Sequence, residues 1–537
     1  MKRFIDDYQN ESFDIIVIGG GITGAAVAYD AASRGLSVAL VEKNDFGWAT
    51  SAATSKVIHG GLRYLKNLEL GLVRESLSER RIMENIAPNF VYPMNFMFIN
   101  PTSVMKIGLF VYDLLAFDKG FTWDKSKKIR NHYPLSRERV IEEEPNVKRY
   151  GLKDARVYYD CLSIFPERLT LAFIKSAVRY GAKVSNYTKV DNFIIEDGNR
   201  VSGIAVRNLL DNKTHAIRGK LTINCTGPWA DIVLKLAKKD DSSDKIRRSE
   251  GIHLIVKKLI ETHGVGTMTK TGHFFLIPWR GHSLIGTTDK EYPGDPDGYH
   301  VTRQSIQELL DTVNRDFGNN DTIEYRDVQF AYGGLRPLLD AKRQDVHTTT
   351  RKYEIFDHAD EGLSGLITVE GGKYTTSRNL AQNVLKVAEK RLGRKPGKCT
   401  TAGQRLIGSE IEDIEEFIHS IKQANSDFED TTVEYLGRNY GTEYSEVLKL
   451  ARQDPRLAET VNADGEILAQ VVYAITDEMA ITLKDILFRR TGIGTLGYPG
   501  EGVVEKVADI AAQALGWNAD RKKMEILEVE KAFRLPE

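Results

Sequence analysis

The sequence is poor in cysteine, since Cys161, Cys225 and Cys399 are the three cysteines of a 537-residue chain. Three widely spaced cysteines supply neither a disulfide framework nor a four-ligand zinc site. This scarcity is typical of proteins in a reducing compartment. We therefore expect a cytoplasmic protein with no structural metal.

An excess of charge of either sign is also missing. The chain has 74 Lys and Arg residues against 75 Asp and Glu residues, which gives a formal net charge of −1 at pH 7. General nucleic-acid binders carry a surplus of basic residues. The balance argues against a nucleic-acid partner, but it leaves room for a local cluster of positive charge.

Long apolar runs are absent too, because no stretch reaches the ~20 residues of a membrane-spanning helix. The most apolar segment, residues 107–117, contains Asp113. The N-terminus reaches Asp6 and Asp7 before any apolar core of signal-peptide length. We expect neither a membrane span nor a secretory signal, and we expect segment 107–117 to be a buried helix or an interfacial element.

The first strong structural signal is a β-α-β unit near the N-terminus. Residues 13–18 form a continuous apolar run rich in β-branched residues, as a buried parallel strand requires. A helix of small residues follows and ends near Gly35, and a second strand is predicted over residues 37–41. This order is typical of dinucleotide-binding folds.

Glycines of the pattern G-x-G-x-x-G join the first strand to the helix. Gly19 allows a tight turn, Gly21 allows a pyrophosphate to approach, and Gly24 allows the helix to pack closely on the strand. The helix N-terminus then offers N–H groups to the phosphates. Glu42 ends the second strand, where a carboxylate accepts hydrogen bonds from a ribose.

The glycines and Glu42 are compatible with FAD or NAD. Two distant strand ends, at Gly227 and at residues 370–373, suggest that the chain returns to the cofactor, as expected for FAD with its remote flavin ring. The alternative that both are ordinary strand-to-helix turns stays open. A further helix is predicted over residues 166–179, a hairpin over residues 274–287, and mainly helices beyond residue 398.

Longer motifs resemble those of the FAD-dependent glycerol-3-phosphate dehydrogenases, within the glycine/D-amino-acid oxidase superfamily. They are IGGGITG at 18–24, ATSAATSK at 49–56, HGGLRYL at 59–65, TGPW at 226–229, IPW at 277–279, GTTD at 286–289, GLRPL at 334–338 and GGK at 371–373. They span residues 13–380 in the order of the family. The region beyond 398, with LFRRT at 487–491, resembles the extra C-terminal domain of the family.

The resemblance implies an α/β fold, α+β overall. A Rossmann-like, two-layer FAD-binding domain is interrupted by a mostly antiparallel substrate domain, and a C-terminal helical domain follows. The expected FAD-binding domain is discontinuous, over residues 12–90, 155–250 and 330–397. The substrate domain is expected over residues 91–154 and 251–329, and the helical domain over 398–537.

The resemblance also implies an activity. Noncovalent FAD would accept hydride at flavin N5 from sn-glycerol 3-phosphate, giving dihydroxyacetone phosphate, and electrons would pass to a quinone. Three alternatives stay open: an oxidase that reduces oxygen to hydrogen peroxide, a non-catalytic or redox-sensing flavoprotein, and a related amine oxidase. A homodimer and peripheral contact with the inner face of the cell membrane also stay open.

The resemblance of these motifs also implies which residues form the active site. A phosphorylated substrate requires fixed cations, and Arg supplies a fork that matches phosphate oxygens while Lys supplies a point charge. The expected substrate-binding residues are Arg63, Tyr64, Arg336 and Lys373. The expected catalytic residues are His253 and His59, as proton acceptors, and Arg336.

The cofactor is expected to contact a larger set. Its members are Gly19, Gly21, Gly24, Glu42, Thr50, Ser51, Ser55, Lys56, Gly60, Gly227, Gly372 and Thr375. Trp48 and Trp279 lie near these motifs, either against the cofactor or in the core. An apolar segment over residues 94–117 precedes Lys125, Lys127, Lys128 and Arg130, and this pairing is compatible with an anionic bilayer or with a buried helix beside a solvated charge run.

Overall fold

Two β-sheets and a C-terminal group of helices form the protein in a computed structural model that describes residues 1–238, 246–269, 272–317, 322–339 and 353–537. The strands in chain order are β1 (Ser12–Ile18), β2 (Val38–Val41), β3 (Val57–Ile58), β4 (Val91–Ile99), β5 (Tyr133–Ser136), β6 (Asp154–Ser163), β7 (Lys183–Ser185), β8 (Thr188–Glu196), β9 (Arg200–Asn208), β10 (Thr214–Asn224), β11 (Ile246–Lys257), β12 (Gly264–Thr269), β13 (Gly272–Trp279), β14 (His282–Gly286), β15 (Lys290–Glu291), β16 (Val328–Leu339), β17 (Tyr353–Asp357) and β18 (Leu366–Gly371).

The helices of the described residues follow in the same order. They are α1 (Ile22–Ser33), α2 (Leu70–Ile86), α3 (Ser103–Leu115), α4 (Arg137–Glu143), α5 (Pro166–Arg179), α6 (Ala230–Lys238), α7 (Arg303–Asp316), α8 (Ser377–Leu392), α9 (Ile414–Ala424), α10 (Asp430–Tyr440), α11 (Tyr444–Gln453), α12 (Ala469–Thr476), α13 (Leu483–Asp485), α14 (Glu501–Leu515) and α15 (Ala519–Phe533). A π-helical turn, Ile486–Arg490, continues α13.

The first sheet is parallel at its centre, where β18, β10, β1, β2 and β7 lie side by side in that order. β17 extends one edge antiparallel, and β8, β9 and β10 form an antiparallel meander. β1 is buried on both faces, which explains its unbroken apolar sequence. The predicted β-α-β unit is confirmed as β1, α1 and β2.

The first sheet is the middle one of three layers, whereas two layers were expected. Helices α1, α5 and α8 cover one face. The β8–β9 strands and α6 cover the other face, where Val190 and Phe193 pack with Ile16 and Ile18 of the sheet. The third layer arises because the meander folds back across the sheet and buries its own apolar side chains there.

The second sheet is mostly antiparallel, as predicted, and has the order β15, β11, β14, β13, β12, β4, β6 and β3. β16 also pairs with β11 and β5 with β6, while β12 and β4 are the parallel neighbours among these strands. Helices α4 and α7 pack on one face. Helices of the C-terminal region pack on the other, with Phe330 of β16 stacked on Phe488 at 5.9 Å between ring centroids.

Three strands lie in a different sheet from the one that the predicted boundaries imply. The predicted FAD-binding domain includes β3, β6 and most of β16, but β3 pairs with β6, β6 with β4 and β16 with β11 in the second sheet. The apolar pattern of a strand indicates burial without indicating which sheet receives it. We retain the three-domain division as a proposal, with residues 57–58, 154–163 and 328–339 moved to the second sheet.

Helix α3 is exposed on its apolar side. Ile107 is 64%, Phe110 57% and Phe117 73% exposed, whereas Leu109 and Tyr112 on the opposite side are buried. The prediction of a buried helix over residues 107–117 is therefore wrong, and the interfacial alternative remains. No helix of the described residues has the length and apolar character needed to cross a bilayer.

Candidate active site

The site starts at the glycine turn between β1 and α1. Gly19 has a φ of +103°, and a Cβ there would lie 2.7 Å from the carbonyl oxygen of Cys225. A Cβ at Gly24 would lie 1.9 Å from the Gly19 oxygen. Both positions require glycine because strand, turn and helix approach too closely for any side chain. Gly21 is the N-cap of α1 and makes no side-chain capping bond.

A loop over residues 43–56 folds over this turn after β2. Glu42 accepts hydrogen bonds from the backbone N–H groups of Gly20 at 2.6 Å and Asn44 at 2.8 Å. Burial raises the pKa of Glu42. Ser51 Oγ accepts a hydrogen bond from Ile22 N at 2.9 Å, so the loop reaches the N-terminus of α1.

The same loop also contacts the second sheet. Thr50 Oγ1 donates to the Leu335 oxygen at 2.6 Å, and the Tyr332 hydroxyl donates to the Thr54 oxygen at 2.9 Å. A Cβ at Gly334 would lie 2.7 Å from Ala53 Cβ, so this glycine of β16 lets the loop approach. The loop thus connects the two sheets along one cavity.

That cavity has a volume of about 1140 Å³. The predicted site residues that line it are Gly19, Gly21, Glu42, Thr50, Ser51, Ser55, His59, Arg63, Tyr64, Gly227, His253, Arg336, Gly372, Lys373 and Thr375. The structure therefore brings together motifs from both sheets. Gly24, Lys56 and Gly60 lie outside this lining set.

Lys56 lies beneath the loop. Its ammonium group forms a buried ion pair with Glu167 at 2.6 Å and lies 5.0 Å from the centroid of the Trp279 ring. Trp279 is a core residue that donates from Nε1 to the Ile164 oxygen at 3.0 Å. Trp48, by contrast, lines the cavity. Lys56 is thus placed to support the loop from below.

One cluster of cations surrounds Tyr64. Arg63 donates to the Tyr64 hydroxyl at 3.1 Å, and the Lys373 Nζ lies 4.9 Å from the centroid of the Tyr64 ring. Lys373 also donates to Ser76 Oγ. Burial, together with the nearby charge of Arg63, lowers the pKa of Lys373 to about 8.

Arg336 is held by the segment that follows β14. It donates to Thr287 Oγ1 at 2.6 Å and to the Thr288 oxygen at 3.0 Å, and it lies 3.6 Å from the Asp289 carboxylate. A Cβ at Gly251 would lie 1.8 Å from Arg336 Nη2, so this glycine makes room for the guanidinium group. The orientation of Arg336 is therefore fixed from several sides.

His253 is buried in β11 beside Arg336. Its Nε2 lies 2.8 Å from Ser55 Oγ, and its ring stacks on Tyr332 with centroids 5.0 Å apart. Nδ1 has no hydrogen-bond partner among the described residues. Burial and the positive charges of Arg336 and Lys56 hold the pKa of His253 well below 6.5, so the imidazole is neutral at pH 7.

The His59–Gly60 turn rests on a carboxylate that the motifs did not indicate. His59 N donates to Thr375 Oγ1 at 3.2 Å, and Gly60 N donates to Asp160 at 2.9 Å. Asp160 also accepts hydrogen bonds from Arg80 at 2.8 Å and Tyr112 at 2.7 Å. Gly60 is thereby a structural part of the turn, and Asp160 is a positioning residue with no signal in its own strand sequence.

Further residues missed by the motif analysis lie at the Trp48 end of the cavity. Trp229 packs on Trp48 with ring centroids 5.9 Å apart and donates from Nε1 to Asp297 at 2.8 Å. Lys43 pairs with the same carboxylate at 2.5 Å. The TGPW motif contains Trp229, but nothing local to Asp297 indicates that it belongs to the site.

Comparisons with known families match both parts of the chain. The FAD dependent oxidoreductase family matches residues 14–378. The C-terminal domain of alpha-glycerophosphate oxidase matches residues 399–522. Together the two matches cover both sheets and the C-terminal helices.

Curated proteins with a similar sequence are similar over nearly their whole length. The glycerol-3-phosphate dehydrogenase of Mycobacterium leprae is 34% identical over 96% of this chain and 86% of its own length. The aerobic glycerol-3-phosphate dehydrogenase of Staphylococcus saprophyticus is 32% identical over 98% of this chain and 95% of its own.

Solved structures of the same fold include two FAD complexes. The glycerol-3-phosphate dehydrogenase from Bacillus halodurans, complexed with FAD, matches with a TM-score of 0.79 and 28% sequence identity. The match covers 98% of this chain and 96% of the Bacillus chain. The L-alpha-glycerophosphate oxidase from Mycoplasma pneumoniae, with FAD bound, is similar in fold, with a TM-score of 0.54 and 19% identity over 72% of this chain and 96% of its own.

Proposed function

Because the chain belongs to the FAD-dependent glycerol-3-phosphate dehydrogenase family, we propose that it oxidises sn-glycerol 3-phosphate to dihydroxyacetone phosphate. FAD is the cofactor of this enzyme. One arrangement carries the proposal: a single cavity contains the glycine turn, the cations Arg63, Arg336 and Lys373, and the neutral imidazole of His253.

The residues of the cavity fit FAD. The Cβ-free turn at Gly19 and Gly21, at the N-terminus of α1, suits a pyrophosphate, which helix N-termini bind through backbone N–H groups. Glu42 lies at the end of β2, where the ribose of the adenosine half is expected. Thr50, Ser51 and Ser55 would then lie along the cofactor towards the flavin ring.

The substrate phosphate is assigned to Arg63 and Lys373. Their positive charges meet around the Tyr64 ring, and Tyr64 adds a hydroxyl group beside them. Charge-assisted hydrogen bonds of this kind bind phosphate more strongly than neutral ones. A substrate without the phosphate would carry no negative charge to meet these two cations, which favours a phosphate monoester over glycerol.

The reacting end of the substrate is assigned to Arg336 and His253. FAD supplies the hydride acceptor, flavin N5, for the hydrogen at C2. The Arg336 guanidinium stabilises negative charge that develops on the C2 oxygen, and His253 takes the hydroxyl proton. Nδ1 is the ring nitrogen assigned to that proton, because Nε2–H can donate to Ser55 Oγ. His59 lines the same cavity and is kept as the alternative proton acceptor.

An apolar part of the cavity supports a quinone as the electron acceptor. Phe96, Phe98, Met105, Tyr158 and Phe275 line it, and the rings of Phe98 and Tyr158 stack with centroids 5.2 Å apart. Flat aromatic walls suit a quinone ring, whereas molecular oxygen requires no such surface. Electron transfer to oxygen is the alternative.

The exposed face of α3 supports contact with an anionic bilayer. Val104, Ile107, Phe110 and Leu114 repeat at helical spacing on this face, and Val104 also lines the cavity. The nearby segment after α3 carries the exposed basic residues Lys125, Lys128 and Arg130. Lys127 does not contribute to that charge, because its buried ammonium donates to the Val91 oxygen at 2.7 Å. An amphipathic helix beside basic residues is suited to a membrane surface.

Anaerobic titration of the purified yellow protein tests the substrate. We expect sn-glycerol 3-phosphate to bleach the visible absorbance of the bound flavin, and glycerol to be far less effective. Arg63→Gln should retain FAD but require a much higher substrate concentration. No bleaching by sn-glycerol 3-phosphate would overturn the proposed reaction and favour a non-catalytic or redox-sensing flavoprotein.

Reoxidation tests the acceptor. After reduction with sn-glycerol 3-phosphate, a soluble quinone analogue should restore the flavin colour faster than dissolved oxygen at equal concentration. Faster reoxidation by oxygen with formation of hydrogen peroxide would instead identify an oxidase.

A further inference from the structure

A fully buried group of charges joins the C-terminal helices to the cofactor loop. Asp45, in that loop, accepts hydrogen bonds from Arg489 at 2.6 Å and from both terminal nitrogens of Arg490, at 2.8 and 2.7 Å. Asn186 also donates to it at 3.1 Å. Burial alone would raise the pKa of Asp45, but the two guanidinium groups hold that pKa below its usual value.

The two arginines are themselves fixed within the C-terminal region. Arg489 also pairs with Asp485, and the backbone oxygen of Arg490 accepts from Arg168 of α5 at 2.6 Å. Arg168 in turn forms a doubly hydrogen-bonded ion pair with Glu478, with both distances 2.9 Å. Neighbouring side chains do not face each other on a regular α-helix. The π-helical turn that ends at Arg490 nevertheless presents both guanidinium groups to one carboxylate.

Asp45 is coupled to the glycine turn by its immediate neighbours. Its backbone oxygen accepts from Trp48 N at 3.1 Å, and Gly47 N donates to the Gly20 oxygen at 3.0 Å. A Cβ at Gly20 would lie 2.7 Å from the Phe46 ring, so Phe46 packs directly on the turn. A displacement of Asp45 therefore moves the residues that cover the cofactor site.

The loop then continues to residues with direct access to the cavity. Trp48, Thr50 and Ser51 line it, and Ser51 Oγ accepts from the N-terminus of α1. None of these three residues contacts the C-terminal helices through a hydrogen bond that the structure describes. Asp45 is the loop residue that forms hydrogen bonds with the C-terminal region among the described residues.

We infer that Arg489 and Arg490 position the FAD-binding loop through Asp45, so that the C-terminal helical region sets the affinity for FAD. A buried carboxylate between two arginines resists displacement, because Asp45 would lose both of its cationic partners in a medium of low polarity. A loop held in its bound conformation loses less entropy when the cofactor binds. This role for the C-terminal region does not depend on the identity of the substrate.

The decisive comparison is Asp45→Asn against Glu466→Gln. Glu466 is a fully buried carboxylate that pairs with Arg280 at 3.1 Å and accepts from Gly492 N at 2.6 Å. It joins the C-terminal region to the β13–β14 hairpin, and none of its hydrogen-bond partners among the described residues lies in the cofactor loop. Both variants remove one buried charge through which the C-terminal region contacts another part of the chain.

The readout is FAD dissociation, measured by recovery of flavin fluorescence from full-length protein that has been stripped and reloaded. We expect Asp45→Asn to raise the dissociation constant about tenfold, within the range of coupling through packed networks, and Glu466→Gln to leave it unchanged. Arg490→Lys keeps the charge without the two-pronged contact and should give an intermediate value.

Two outcomes would overturn the inference. An unchanged dissociation constant in Asp45→Asn would show that the loop is positioned without the arginines. An equal increase in Asp45→Asn and Glu466→Gln would assign the effect to a general loss of stability. If Asp45→Asn does not fold, Arg490→Lys is compared with Glu466→Gln in its place, under the same two criteria.

Discussion

Lys373 is the residue whose protonation is best placed to control substrate binding. Its pKa of about 8 means that the ammonium group loses its proton as the pH rises through that value. We expect kcat/KM for sn-glycerol 3-phosphate to fall above about pH 8, because the phosphate then meets one cation fewer. Lys373→Arg should move this fall to higher pH, since arginine stays charged. A profile of kcat/KM against pH for both proteins checks this. If kcat/KM falls at the same pH in both, the fall is caused by the titration of another group.

Gly251 makes room for the guanidinium group of Arg336 without being one of the proposed catalytic residues. A methyl group there would displace the guanidinium, which is the flexible end of a side chain, so Gly251→Ala should fold. We expect kcat/KM to fall by about a hundredfold, as for a misplaced catalytic group, with normal FAD content. Gly71→Ala is the matched control because a Cβ at Gly71 meets open space. Equal activity of the two variants would contradict the placement of Arg336.

Ser55 is placed to orient His253, the proposed base. His253 keeps a pKa well below 6.5, so it remains neutral as the pH falls towards 6.5, and the acidic limb of kcat/KM should lie below that pH. Loss of the Nε2 hydrogen bond in Ser55→Ala should slow flavin reduction by about tenfold. Ser55→Thr, which keeps the hydroxyl, should restore most of the rate. Stopped-flow reduction measures both, and an unchanged rate in Ser55→Ala would remove Ser55 from this role.

Among the elements, helix α3 exposes an apolar face to solvent. We expect the double variant Ile107→Glu, Phe110→Glu to bind vesicles of anionic phospholipid at least about tenfold more weakly than the unaltered protein, because two apolar side chains would no longer enter the bilayer. Co-sedimentation at low salt measures this binding. The control is Leu527→Glu, since Leu527 is 46% exposed on the distant helix α15. Equal losses in both variants would contradict a specific role for α3.

Features that depend on residues nearby in the chain could be predicted from the sequence. Features that depend on distant parts of the fold, such as the burial of a side chain, could not. The turn from β1 to α1 needs glycine at Gly19 for its positive φ and at Gly24 for its contact with the Gly19 oxygen, so its local sequence is diagnostic. The apolar stripe of α3 indicated two faces without indicating whether protein covers the apolar one. Lys127 has the sequence context of a solvated charge, yet it turns inward to the Val91 oxygen. Only the folded neighbourhood decides such cases.

At the scale of the whole molecule, FAD should stabilise regions that it does not contact. FAD at about 100 times its dissociation constant stabilises the bound form by ~2.7 kcal/mol. Through Asp45 and Arg490 this stabilisation should reach α12–α15, so we expect slower hydrogen exchange there in the FAD-loaded protein. In the Asp45→Asn variant, α12–α15 should lose this protection from hydrogen exchange, whereas β1 and α1 should keep theirs. Identical exchange of α12–α15 with and without FAD would contradict the coupling.

Long-range partners account for most of what the sequence could not predict in the site. Arg63, Tyr64, Arg336 and Lys373 were recognisable by motif, and the cavity brings them together. The carboxylates that hold the neighbouring motif residues were not recognisable, because Asp160 lies 100 positions from Gly60 and Glu167 lies 111 positions from Lys56. The motif containing Lys56 suggested cofactor contact, whereas its charge is directed to Glu167. Pairing across such separations is determined by the fold as a whole.

The pairing of Asp45 with Arg490 spans 445 positions of the chain. During translation the glycine turn and its loop leave the ribosome early, whereas their arginines are added near the end. At roughly 5–20 residues per second, the interval between the two is on the order of tens of seconds. Until then the Asp45 carboxylate lacks its two arginines, so the inferred coupling implies that FAD binds most tightly to finished chains. A truncated product that ends before Arg489 is therefore expected to bind FAD more weakly.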